Sequence, residues 1–172
     1  MTHESTMNEG KFTMQRLDNY FNSVNSKAAF YIVIQTFLLG GLCTGYISLY
    51  GKNIPAWQIV FFTAFHLLCC LGSILYTLIA MNPFTKSHFA KERFSSLLFF
   101  GSIARYSCSE FQQKFVSQTD ESRVQDMSSQ IHCLAIGLDK KYKRLKIAST
   151  FLFIQFLFLL PYLYIIIKNY QS

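Results

Sequence analysis

The sequence predicts an all-α membrane protein with three transmembrane helices, two of them extended into a small cytoplasmic helical bundle. Three observations carry that prediction. The chain of 172 residues is 51% hydrophobic, with 18 Phe and 10 Tyr, and its mean hydropathy is +0.24. The apolar residues gather in three blocks, 28–50, 56–81 and 147–167, and none of the blocks contains an Asp, Glu, Lys or Arg. A helix rises 1.5 Å per residue, so about 20 residues cross a hydrocarbon core of about 30 Å. Core helices of soluble proteins of that length carry a polar stripe, which these blocks lack. Finally, the polar segments beside the first and third blocks continue the helical apolar period into the blocks.

Taken in order, residues 1–10 (MTHESTMNEG) read as a disordered lead ended by Gly10. From Lys11 an apolar stripe begins at Met14, Leu17, Phe21, Val24 and Ala28, in alternating steps of three and four; that is one face of a helix. Residues 11–27 are therefore the cytoplasmic base of the first helix, and 28–50 its membrane span. The segment 51–55 (GKNIP) is rich in turn formers, and Trp57 stands where an interfacial aromatic belongs. The second span, 56–81, stops at Asn82-Pro83, because the residue before Pro is pushed out of the helical region.

Residues 82–146 form the cytoplasmic helical region. Within it, "SSLLFFG" (95–101) is an apolar plug too short to cross a membrane. Ser102 is the expected N-cap of a short helix whose Ile103, Ser107, Phe111 and Phe115 recur at steps of four. Thr119 or Asp120 then caps a last helix, with Asp120 and Glu121 suited to the positive end of its dipole. Its stripe of Val124, Met127, Ile131, Leu134, Leu138, Tyr142 and Leu145 leads without a break into the third span, 147–167. Pro161 lies inside that span.

Charge sets the orientation. Of the 16 Lys and Arg, 11 lie between the second and third spans, three precede the first, and one lies in each remaining segment. Basic residues stay in the cytoplasm, so the N-terminus and 82–146 are expected inside and the 51–55 turn and C-terminal tail outside. The first block is no signal peptide, since a long polar segment precedes it and no small-residue cleavage site follows. The five cysteines show no CxxC and no metal-ligand spacing; they read as free apolar fillers, and no metal or cofactor is expected.

No hydrolase, metalloprotease, P-loop or dinucleotide fingerprint is present, which argues against an enzyme. No charge sits within a span, which argues against a proton relay or a substrate-binding transporter core. Gln35, Gln58, Gln155, Thr36, Thr44 and Thr63 lie within or at the rim of the spans, where such residues glue helices together or line a wet path; His66, inside the second span, reads as a hydrogen-bonded packing residue, with a ligand role as the alternative. The net charge of +7 also suits an anion. Lys86, Lys91, Arg93 and Arg105 flank the plug, the amides after Ser102 offer a phosphate seat, and Phe99 and Phe100 offer faces on which a base stacks. The plain alternative is that Phe99 and Phe100 are only core. Asn25, Lys27 and Asn82 belong, by topology, near the cytoplasmic membrane face.

The segments "NSKAAF", "NPF", "SSLLFFGSIA" and "QIHCLAIGLDKKYKRLKIA" fall in an order that resembles the Pycsar-type transmembrane effectors of bacterial anti-phage signalling. Lys141, Tyr142 and Leu145 match the family's K-[FY]-x-x-L step before the last span; where the family carries an Asp before a Lys-Ala pair, this chain has Ser26, preceded by Asn25. The resemblance spans roughly residues 17–150. It implies an effector in the bacterial inner membrane, paired with a nucleotide cyclase and gated by its product, a cyclic pyrimidine mononucleotide or a cyclic di- or oligonucleotide. The ligand-contacting candidates are then Asn25, Lys27, Asn82, Phe99, Phe100, Ser102, Arg105 and Lys141. Three helices cannot enclose a channel, so a homo-oligomer in the lipid bilayer is expected, and nucleic acid is not an expected partner. A ligand-independent scaffold or regulatory subunit that binds a protein is the alternative.

Overall fold

The computed structural model describes residues 3–50, 57–82 and 96–171. Among these the chain is helical throughout its regular structure: α1 (His3–Tyr50), α2 (Trp57–Met81), α3 (Phe100–Ile103), α4 (Cys108–Val116) and α5 (Asp120–Gln171). Three of them, α1, α2 and α5, are long and apolar enough to cross a membrane. The expected turn at 51–55 and the cations Lys86, Lys91 and Arg93 lie outside the described residues.

The helices form two units. A polar unit takes in α1 as far as Ser23, α3, α4, and α5 as far as Lys140; a membrane unit takes in α1 from Val24, α2 with Asn82, and α5 from Lys141. Both α1 and α5 pass from one unit's residues to the other's without a helix break.

In the membrane unit the buried positions keep heptad spacing. They are Val24, Ala28, Gln35, Leu42 and Leu49 on α1; Ile59, Thr63, His66, Cys70, Ser73, Thr77 and Ala80 on α2, where Cys69 is buried as well, outside that spacing; and Lys141, Leu145, Ala148, Leu152, Gln155 and Tyr162 on α5. A mean repeat of 3.5 residues keeps one seam facing its neighbours along the whole helix. Small side chains allow close approach: the Ser73 hydroxyl donates to the Ala148 carbonyl at 3.0 Å. Near the chain's α1–α2 connection, Leu42, Leu49, Ile59 and Tyr162 make an apolar cluster bordered by Tyr46, Phe62 and Leu159. The outward faces carry Phe37, Trp57 and Leu160, all exposed, as helices bathed in lipid require.

Two expectations are corrected in the polar unit. The lead is not disordered: α1 begins at His3. Gly10 does not end a segment, because its missing side chain leaves room for the Met127 thioether of α5, which an added Cβ would strike. Met127 of α5 thus packs at Gly10, while His3, Glu4, Asn8 and Glu9 stay exposed.

Ser102 is also not an N-cap. Phe99 starts α3, without a side-chain cap, and the short helix expected from Ser102 to Phe115 is two pieces joined by a turn. The cap belongs to Ser107, whose hydroxyl accepts from the Glu110 amide at 3.3 Å while the Glu110 carboxylate accepts from the Ser107 amide at 2.9 Å. This reciprocal pair is a capping box. The Ser107 amide, and then its hydroxyl, hold the Glu110 carboxyl below its ordinary range. A depressed carboxyl pKa adds stability above the unfolded-state value that is lost as pH falls through the folded one. The protection of amides 108–112, taken as exchange relative to the intrinsic rate at each pH, should therefore fall at acid pH, and Ser107→Ala should lower it several-fold at neutral pH. At the start of α5, the Thr119 hydroxyl accepts from the Ser122 amide at 3.3 Å.

Candidate functional site

The eight candidate residues divide evenly between the units. In the membrane unit, Lys141 is only 5% exposed, and its ammonium donates to Asn25 Oδ1 and to the Met81 carbonyl, each at 3.2 Å. Arg144, three residues later on α5, donates to the Ile79 carbonyl at 3.1 Å. Two cations of α5 therefore cap the last carbonyls of α2, where the helix has orphan acceptors and the negative end of its dipole. Burial, and then Arg144, hold the Lys141 ammonium below the ordinary lysine range.

Asn82 closes the same helix end, with its amide donating to the Leu78 carbonyl at 3.1 Å. Lys27 is exposed on α1, and its ammonium lies over the Tyr142 ring, 6.0 Å from the centroid, at the outer reach of a cation–π contact. Asn25, Lys27, Asn82 and Lys141 thus converge on one end of the membrane unit. Asn25 and Lys141 bond each other there; Lys141 is buried, whereas Asn25, Lys27 and Asn82 are exposed.

In the polar unit, Phe99 and Phe100 pack on one another, with ring centroids 4.9 Å apart and planes tilted by 55°. Phe99 is half-buried, and its ring occupies the space where a side chain at Gly101 would stand, 2.6 Å from an added Cβ. Phe100 is 69% exposed, and Arg105 is exposed as well. The Ser102 amide is already committed to the Phe99 carbonyl at 2.9 Å, the Ala104 amide to Phe100 and the Arg105 amide to Ser102. The expected phosphate seat on these amides is therefore not formed. Arg105 and the ring of Phe100 are exposed in this segment, and the Ser102 side chain is half-buried.

The plug is held by a residue that the sequence reading missed. Of Leu97, Leu98, Phe99 and Phe100, only Leu97 is buried, and its amide donates to Asp126 Oδ2 at 2.8 Å. Asp126 on α5 is 4% exposed. A buried carboxylate beside the stripe residue Met127 was the available signal: it breaks the polar-out pattern only if its position faces a neighbour, which periodicity alone does not tell. Among the described residues, no cluster of three or more His, Cys, Asp or Glu is placed to hold a metal.

A family model described as the Pycsar effector protein domain matches residues 10–168, nearly the whole chain. No curated protein and no solved structure matches it.

Proposed function

The chain belongs to the Pycsar effector family, and from that premise we propose that it is an anti-phage effector that senses a cyclic nucleotide and permeabilises the bacterial inner membrane. The nucleotide is the product of a partner cyclase, a cyclic pyrimidine mononucleotide or a cyclic di- or oligonucleotide. Growth of the infected cell then stops before phage mature. The N-terminus and the polar unit lie in the cytoplasm, as the basic residues of 82–146 favour.

The observation that carries this reading is the continuity of α1 and α5. Each is a single helix that holds residues of both the polar unit and the membrane unit. A ligand that binds two arrangements of the polar unit unequally shifts the population between them, and an unbroken helix has no flexible joint to absorb the change. Phe100 supplies a stacking face and Arg105 a cation for the cyclic phosphate. The Ser102 hydroxyl and the exposed Lys27 and Asn82 side chains are further contacts in this reading, while Asn25 and Lys141 serve the fold. Several copies assemble, since three helices do not enclose a channel.

Expression with an active pyrimidine cyclase should depolarise the inner membrane, read with a potential-sensitive dye. Arg105→Ala and Phe100→Ala should each abolish the response at unchanged protein level. Depolarisation by both variants as strong as the parent's sinks the assigned contacts; a parent that depolarises with neither a pyrimidine cyclase nor a cyclase making cyclic di- or oligonucleotides sinks the function. Exposed Phe100, Phe115 and Val116 on the polar unit favour the second reading, a scaffold that docks a protein. A flat thermal-shift response to cyclic mono- and dinucleotides would select it.

A further inference from the structure

The heptad seams of the membrane unit are mostly apolar, or polar with an internal bond. Thr63 donates to the Ile59 carbonyl and shares a 2.7 Å bond with the Tyr162 hydroxyl; Thr77 donates to Ser73, and Ser73 to Ala148. Three seam residues differ, one from each helix. Gln35 and His66 are fully buried and Gln155 is 1% exposed. Among the described residues, neither amide atom of either glutamine has a hydrogen-bond partner, and neither does His66 Nε2. His66 Nδ1 is engaged with the Phe62 carbonyl at 2.8 Å.

These residues share a level. The Cys70 thiol reaches the Gln35 carbonyl at 3.6 Å, which puts Gln35 beside residue 70 of α2. The Ser73–Ala148 and Thr63–Tyr162 bonds show that α2 and α5 run antiparallel. Gln155 lies midway between Ala148 and Tyr162 on α5, hence opposite the stretch between His66 and Cys70. The three residues therefore fall within about one helical turn along the axis, roughly 5 Å, with the His66 ring on the side toward Tyr162, whose ring centroid is 5.1 Å away. On the side toward Tyr162 the apolar cluster of Leu42, Leu49 and Ile59 closes the seam; on the other, Ala28 and Ala80 are buried.

An unsatisfied polar group in hydrocarbon costs several kcal/mol, and this layer holds two amide donors, two carbonyl acceptors and a ring nitrogen. One amide–carbonyl contact between the glutamines would satisfy only two of them. No charged residue shares the layer, and an ion of either sign would match only half of so mixed a set. Water donates and accepts, and two to four polar partners are what a buried water needs. We propose that Gln35, His66 and Gln155 form a water-holding layer in the middle of the membrane unit. A wet layer there shortens the dry barrier that a permeating ion must cross; that consequence rests on the membrane-permeabilising function above, whereas the hydration does not.

The test is water-edited solid-state NMR on the full chain, nitrogen-15 labelled, in phosphatidylethanolamine–phosphatidylglycerol vesicles. The side-chain amide signals of Gln35 and Gln155, identified by their loss in Gln35→Leu and Gln155→Leu, should gain water magnetisation as fast as those of exposed glutamines. Build-up as slow as that of the lipid-facing leucines overturns the layer. Failure of the parent to depolarise cells would remove the effector function and leave the NMR result standing.

Discussion

Lys141→Ala should lower the melting midpoint of the detergent-solubilised chain by about 6–24 °C, and cells carrying it with an active cyclase should keep their membrane potential. The side chain is buried, and its ammonium donates to Asn25 Oδ1 and the Met81 carbonyl. Hydrogen bonds to a charged group contribute about 1.5–3 kcal/mol each, and 1 kcal/mol moves the midpoint of a chain of this size by about 2–4 °C. Truncation leaves Arg144 donating to the end of α2 from α5, and it removes the ammonium to which Asn25 Oδ1 is bonded. Lys141→Met separates the causes, since it keeps the apolar stem and loses the ammonium; its midpoint should fall between those of parent and alanine variant. Lys141→Arg should not restore the parent value, because a planar fork does not reproduce a compact ammonium in a closed site. An alanine variant that melts with the parent would show that the contact does not hold α1, α2 and α5 together.

Asp126→Ala should release the 96–101 segment from α5. The Leu97 amide donates to Asp126 Oδ2 from a buried position, and leaving a buried donor without its acceptor costs about 1–3 kcal/mol. The expected signature is local: faster amide exchange at Leu97, more rapid trypsin cleavage after the exposed Arg105, and a midpoint lowered by about 3–8 °C. Asp126→Asn retains an acceptor oxygen and should lose less than half as much. Equal exchange at Leu97 in parent and alanine variant would show that the apolar side chain, not the bond, seats the plug.

The three spans were legible because a hydrocarbon solvent imposes a length and forbids charge, and both are visible in one dimension. The capping of α5 by Thr119 was legible for the same local reason, since a hydroxyl and its amide partner lie three residues apart. Ser102 was misplaced as a cap because serines at 102 and 107 offer the same chemistry to sequence inspection. The choice between them fell to Glu110, which reaches back to Ser107, and to Phe99, whose carbonyl takes the Ser102 amide. The lead at 3–10 was misread because its partner is Met127, far along the chain.

Of the candidate contacts, the sequence identified the residue types: a buried-step lysine, an asparagine near the membrane face, two aromatics and an arginine. It did not reveal which of these spend their polar atoms inside the fold. Lys141 and Asn25 are 116 residues apart and bond each other; Asp126 and Leu97 are 29 apart. By itself the sequence determined the class of solvent, the number of spans and their expected orientation, because transfer of side chains between water and lipid depends on composition and order alone. Only the tertiary structure decided that α5 caps α2, that Asp126 anchors the plug, and that Gln35, His66 and Gln155 share one level. Those are pairings between distant positions, and hydrophobic periodicity says which face of a helix is covered without saying what covers it.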